Sequence, residues 1–128
     1  LSDLATAGGP ARARFQLLHL DPERGARRMS VPQCANLRFE LAPQVERIAP
    51  RKGQRNYTGE RWTATVARHV AFRSWVERDN LMLLDFETDV VGISAQPFTL
   101  LWRLRGRERR HTPAFFARLA DGGAVVVD

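Results

Sequence analysis

Cysteine is nearly absent from this chain of 128 residues: Cys34 stands alone, so no internal disulfide can form, and no Cys/His spacing of the zinc type occurs. A lone thiol of this kind reads as a buried, unreactive side chain. Long apolar runs are absent too, none approaching the roughly 20 residues that span a bilayer. The opening LSDLATAGGP lacks the charged-then-apolar order of a signal peptide, so the expected location is cytoplasmic. Internal repeats and low-complexity tracts are missing. Lysine is scarce as well, with Lys52 the only one among 20 Lys and Arg residues, which outnumber 14 acids and leave a net charge of +6. That balance favours an anionic partner, nucleic acid first, although the arginine bias of a GC-rich genome would raise the count without one.

What is present suits an ordinary globular domain, with 44% hydrophobic and 27% charged residues. The chain starts at Leu1 and stops inside a strand-like run at Asp128, so it is expected to be a portion of a longer protein. Residues 1–10 read as a frayed lead-in. Phe15, Leu17 and Leu18 mark a strand closed by Asp21-Pro22, and ERGARRMSVPQ reads as a basic loop. The alternation of Leu37, Phe39 and Leu41 in ANLRFEL predicts a half-buried strand. Residues 46–62, ERIAPRKGQRNYTGERW, carry Lys52 and Arg55 among other basic groups, with Tyr57 and Trp62; a phosphate-contacting loop and a solvated linker would both look like this. Residues 61–72 fit a short helix or a strand.

SWVERDNLMLLDF, free of glycine and proline, predicts a helix from Ser74, with apolar positions at Val76, Leu81, Leu83, Leu84 and Phe86. Beyond Asp89 the chain reads as a β-meander through VVGIS, FTLLWRLR, a turn at Gly106-Arg107, FFARL and AVVVD, with Gln96-Pro97 shaping a strand turn. Trp62, Trp75 and Trp102 are expected in the core.

The last hairpin raises a chemical possibility. If its turn centres on Asp121-Gly122, positions 114 and 128 lie opposite each other on antiparallel strands, where paired acids could hold one Mg²⁺. Glu77 shares a helical face with Leu81 and Leu84 and should look inward, which makes it a candidate third acid. The same residue completes Ser-x-x-Glu, a capping box, so the spacing also admits a purely structural role.

RKGQRNYTGERW, SWVERDNLMLLDF, VVGISAQPF and RRHTP-FFARLADGGAVVVD, in this order, resemble the TnsA-like endonuclease subunit of heteromeric transposases, over about residues 50–128. Residues 1–49 carry little of the likeness and stand as an N-terminal β-rich or loop extension. The resemblance implies an α/β fold with a restriction-endonuclease-like PD-(D/E)xK core, a mixed β-sheet with flanking helices. It implies Mg²⁺- or Mn²⁺-dependent cleavage of one strand of double-stranded DNA at transposon ends, beside a partner transposase subunit. Glu77 becomes the helix glutamate, Asp128 the second acid with its lysine two residues further on, and Ala114 occupies the place of the metal-binding aspartate after Pro113. Arg109, Arg110, His111 and Arg118 flank this centre and are expected, with Lys52 and Arg55, to contact DNA.

Alanine offers no oxygen, so cleavage by this chain should be lower by orders of magnitude. Because Pro113, Phe115 and Asp128 keep the pattern, a deliberate or recent replacement is expected; a natural, non-catalytic DNA-binding assembly subunit is the alternative. A defence or restriction nuclease of the same fold is a further one.

Overall fold

The computed structural model describes residues 15–34, 36–45 and 58–128. The lead-in 1–10 and the candidate DNA contacts Lys52 and Arg55, with Tyr57, lie outside the described residues.

Strands β1 (Gln16–Asp21) and β2 (Gly25–Ser30) form a hairpin. The Asp21 carboxylate closes its turn by accepting the N–H groups of Glu23 at 2.8 Å and Arg24 at 3.2 Å, and Gly25 takes φ 78. The basic stretch expected as a loop is therefore a strand, because full-length pairing with β1 supplies its hydrogen bonds while Arg28 points to solvent. The chain then curls through two 3₁₀ turns, Val31–Cys34 and Phe39–Leu41. A strand was expected over 35–41; instead Leu41 and Ala42 donate to the Arg38 and Phe39 carbonyls, which buries Phe39 and turns Leu41 outward. Residue 35 lies outside the described residues.

Strands β3 (Gly59–Thr63) and β4 (Arg68–Phe72) form a second hairpin, which resolves 61–72 as strand. Its turn is clamped by Asp85, whose carboxylate accepts the N–H groups of Ala64 and Thr65 and the Thr65 hydroxyl. Partial burial pushes the Asp85 carboxyl up, but these hydrogen bonds and the charge of Arg61 outweigh it and hold the group below its ordinary range.

Helix α1 (Trp75–Phe86) is capped by Ser74, whose hydroxyl accepts the Glu77 N–H at 3.1 Å. Leu81 is fully buried and Leu84 packs beside it, whereas Val76, Leu83 and Phe86 are exposed. No described helix is long and apolar enough to cross a membrane.

Five strands follow: β5 (Val90–Ala95), β6 (Thr99–Leu104), β7 (Arg107–His111), β8 (Phe115–Leu119) and β9 (Ala124–Val127). They do not form a simple meander. At Gln96, with φ 45, and Pro97, which has no N–H to offer a ladder, the chain leaves β5 and crosses to another sheet. β6 and β7 join the first hairpin in the order β2-β1-β6-β7, and β8 returns to pair with β5, giving β5-β8-β9. The result is a mixed α/β fold with antiparallel strand pairs and one α-helix among the described residues. Expected flanking helices in the plural are thus corrected to α1 and two 3₁₀ turns.

The sheet β5-β8-β9 is apolar on both faces. Ile93, Ala95, Phe115 and Ala117 pack with Val70, Phe72 and Leu81 from the β3–β4 hairpin and α1. Phe116, with Val126 packed beside it, meets Phe39, Phe98 and Leu17 on the side of the other sheet. Burial on both sides explains the continuous apolar run at Phe115–Ala117, whereas the edge strand β9 is only half-covered, with Ala124 and Val125 exposed.

Cys34 sits in this second cluster, where burial pushes its thiol up to about 11, as expected of an inert side chain. Trp102 is half-buried against the Phe15 ring, but the other two tryptophans depart from expectation. Trp62 is 54% and Trp75 51% exposed. Trp62 lies edge-on to His69 on the open side of a two-stranded hairpin, and Trp75 carries the Arg78 guanidinium 4.1 Å above its ring.

Candidate active site

Of the three positions singled out by sequence, 114 and 128 come together at one end of β5-β8-β9, and Glu77 is linked to that end only through Arg73. Pairing of Phe115 with Val127 and of Phe116 with Val126 sets residues 114 and 128 opposite each other, and the Ala114 N–H donates to the Val127 carbonyl at 3.0 Å. The turn centre anticipated at Asp121-Gly122 gives this register. Asp121 accepts the Gly123 N–H at 2.8 Å, and Gly122 takes φ 91, a conformation that suits glycine.

Side-chain placement is less convergent than backbone register. Ala114 is fully buried in the apolar cluster of Val70, Phe72 and Leu81. Asp128 is 65% exposed at its side chain, and its carboxylate lies 2.7 Å from His111 Nε2. The histidine at the end of β7 thus engages this acid, a contact that the sequence reading did not assign to it.

Glu77 points inward, its side chain only 14% exposed, and its carboxylate is fully engaged. Arg73 donates its backbone N–H to Oε1 at 2.9 Å, and its guanidinium meets Oε2 through Nε at 3.0 Å and through NH2 at 2.9 Å. The capping box expected of Ser-x-x-Glu forms only in part: the serine half is made, while the glutamate accepts the N–H of Arg73 rather than that of Ser74. Arg73 also reaches the Thr112 carbonyl at 3.4 Å, linking the helix to the residue that precedes Pro113. Arg73 escaped the sequence reading because it stands one residue outside the capping motif; its signal is the Arg-to-Glu spacing of four at a helix start.

Gln96 is the other residue that sequence left as a turn former. It is fully buried, its N–H donates to the Ala114 carbonyl at 2.9 Å, and its side-chain Nε2 is buried without a partner. An orphaned donor of this kind is costly, on the order of 1–3 kcal/mol, unless an acceptor is supplied.

The proposed DNA contacts divide. Arg109 and Arg110 are exposed on the edge strand β7. Arg118, expected to face DNA, is turned inward: its Nε lies 2.7 Å from Glu40 Oε2, its NH1 donates to the Gly122 carbonyl, and its guanidinium covers the Phe116 ring at 5.0 Å. This arginine ties the 3₁₀ segment to the last hairpin. Burial pushes the Glu40 carboxyl up, but the Arg118 hydrogen bond and charge prevail and lower it.

As constituted, these residues do not fit a divalent cation. Ala114 gives no oxygen, Glu77 is held by a guanidinium, and no group of three His, Cys, Asp or Glu able to hold a metal occurs among the described residues. No catalytic step through Mg²⁺ follows from them. No protein-family model, curated protein or solved structure matches the chain.

Proposed function

We propose that this chain is a DNA-engaging domain on the plan of the TnsA-like endonuclease subunits, a PD-(D/E)xK core whose cleavage chemistry is silenced at Ala114. The observation that carries the reading is the register of β8 with β9, which sets position 114 against Asp128 at the end where Arg73 ties Glu77 to the Thr112 carbonyl. A helix bearing an inward acid, followed by antiparallel strands with an acid position on each of two neighbours, is the arrangement the family resemblance leads one to expect. With an acid restored at 114, that acid and Asp128 would hold Mg²⁺ or Mn²⁺, and Glu77, released from Arg73, would complete the set. The metal would supply charge neutralisation on the scissile phosphate.

The test is Ala114→Asp, in this chain and in a form carried past Asp128 to the expected lysine. Nicking of supercoiled plasmid in Mg²⁺ or Mn²⁺, absent from the parent and abolished again by Glu77→Gln, is the expected outcome. A variant that folds, binds duplex DNA and never nicks would overturn the catalytic assignment. The second reading, a non-catalytic DNA-binding subunit acting beside a partner transposase, is favoured by one observation: Ala114 is packed without exposure in an apolar cluster, as a settled core residue is.

A further inference from the structure

The hairpin of β6 and β7 has a property that the proposed chemistry does not use. Residues 103–110 read RLRGRERR, with arginines at 103, 105, 107, 109 and 110, and one acid, Glu108, which pairs with Arg28 of β2 at 3.5 Å. All five residues of β7 are exposed, and so are Arg103, Leu104 and Arg105. Among the described residues β1 pairs with β6 at Leu101, Leu100 and Thr99, while β6 pairs with β7 from Leu100 to Leu104, so Trp102 to Arg109 form a two-stranded ribbon. Among the described residues, Arg105, Arg107, Arg109 and Arg110 have no ion-pair partner.

The turn at the ribbon's tip is informative. Arg105 has φ 52 and Gly106 φ 77, the two positive values of a tight hairpin turn whose twist matches its strands. The first of these positions suits Asn, Asp or Gly, and a long side chain there is strained. An arginine at that place puts a charge at the outermost point at the expense of backbone comfort, while Arg103 donates to the Gly106 carbonyl at 2.9 Å and stiffens the tip. Cross-strand pairing puts Trp102 with Arg109 and Leu104 with Arg107, so one side carries two guanidinium groups beside an aromatic and an aliphatic side chain.

We propose that the β6–β7 ribbon is an arm for duplex DNA, lying in the major groove and leading away from the His111–Asp128 end of the central sheet. Two strands about 4.8 Å apart fit a groove about 12 Å wide. From His111 to Arg107 the strand advances about 13 Å at its usual rise per residue, close to four base-pair steps. Arginines on both rims of the ribbon meet phosphates of both strands, and Arg105 meets the farthest one. This inference rests on the reading that the chain engages DNA; it adds which element holds the duplex and in which direction.

The experiment compares Arg107→Ser/Arg109→Ser with the charge-matched Arg24→Ser/Arg27→Ser on the first hairpin, by fluorescence anisotropy on a 20-base-pair duplex over a salt series. Loss of two phosphate contacts should weaken binding about tenfold or more and flatten the slope of log K against log salt by nearly two, with the control close to the parent. Hydroxyl-radical footprinting should show about four base pairs of protection lost on one flank only. Equal weakening by both variants, or preference of the parent for polyglutamate or for phosphatidylserine vesicles over duplex DNA, overturns the arm. If Ala114→Asp nicks plasmid while Arg107→Ser/Arg109→Ser leaves affinity and footprint unchanged, the arm fails and the nuclease reading stands. Absence of any salt-dependent duplex binding by the parent removes both.

Discussion

Arg73 governs what Glu77 can do. The carboxylate satisfies the backbone N–H of Arg73 and its guanidinium together, so removing it leaves a half-buried donor and a charge unpaired. Glu77→Ala should cost about 1–3 kcal/mol in a urea titration, and Glu77→Gln less, because the amide oxygen still accepts the N–H. His19 offers a second test at this scale. Burial, with the charge of Arg27, pushes its pKa below the ordinary 6.5 despite Asp21, and its Nε2 faces the Met29 sulfur at 3.4 Å. Below pH 6.5 the unfolded chain takes up a proton that the folded one still refuses, so stability is flat above that value and falls as pH drops beneath it. Urea midpoints from pH 8 to pH 5 should show this decline, and His19→Leu should remove that portion of it. Sequence pointed to Ser74, Glu77 and Asp128 through motif and register, but Arg73, Gln96 and the His111–Asp128 contact depend on how distant segments come together.

Helix α1 divides its apolar residues between two fates. Leu81 is fully buried under the central sheet, whereas Phe86 is 89% exposed. Leu81→Ala should therefore cost about 2–5 kcal/mol and Phe86→Ala no more than about 0.5, measured as shifts in urea midpoint. Periodicity foretold the helix and its Leu81–Leu84 face because α1 carries its own cap and no breaker. The β2 strand and the 3₁₀ turns were not legible: Arg27 and Arg28 look like loop until β1 supplies a partner, and the alternation in ANLRFEL survives as half-buried Leu37 and buried Phe39 on a backbone that curls. The crossover after β5 was half legible. Gln96-Pro97 announced a break, but nothing local says that β6 and β7 join another sheet.

For the whole molecule, the sheet β5-β8-β9 is a shared wall between two apolar clusters, and its end sets position 114 opposite Asp128. Net charge is concentrated on arginine, much of it on the β6–β7 ribbon. On the proposed nuclease plan both features would be parts of one design, with the ribbon holding DNA and the sheet end presenting acids to it. Buried in an apolar cluster, an acid at 114 should destabilise the fold until a cation neutralises it. The most direct measurement is thus thermal unfolding of Ala114→Asp over a Mn²⁺ titration, alongside the parent and Ala114→Asp/Asp128→Asn. The account predicts a melting temperature below that of the parent, recovering saturably with Mn²⁺ only in the single variant, as ligand linkage requires. A melting temperature indifferent to Mn²⁺, or the same Mn²⁺ response in all three proteins, would contradict it.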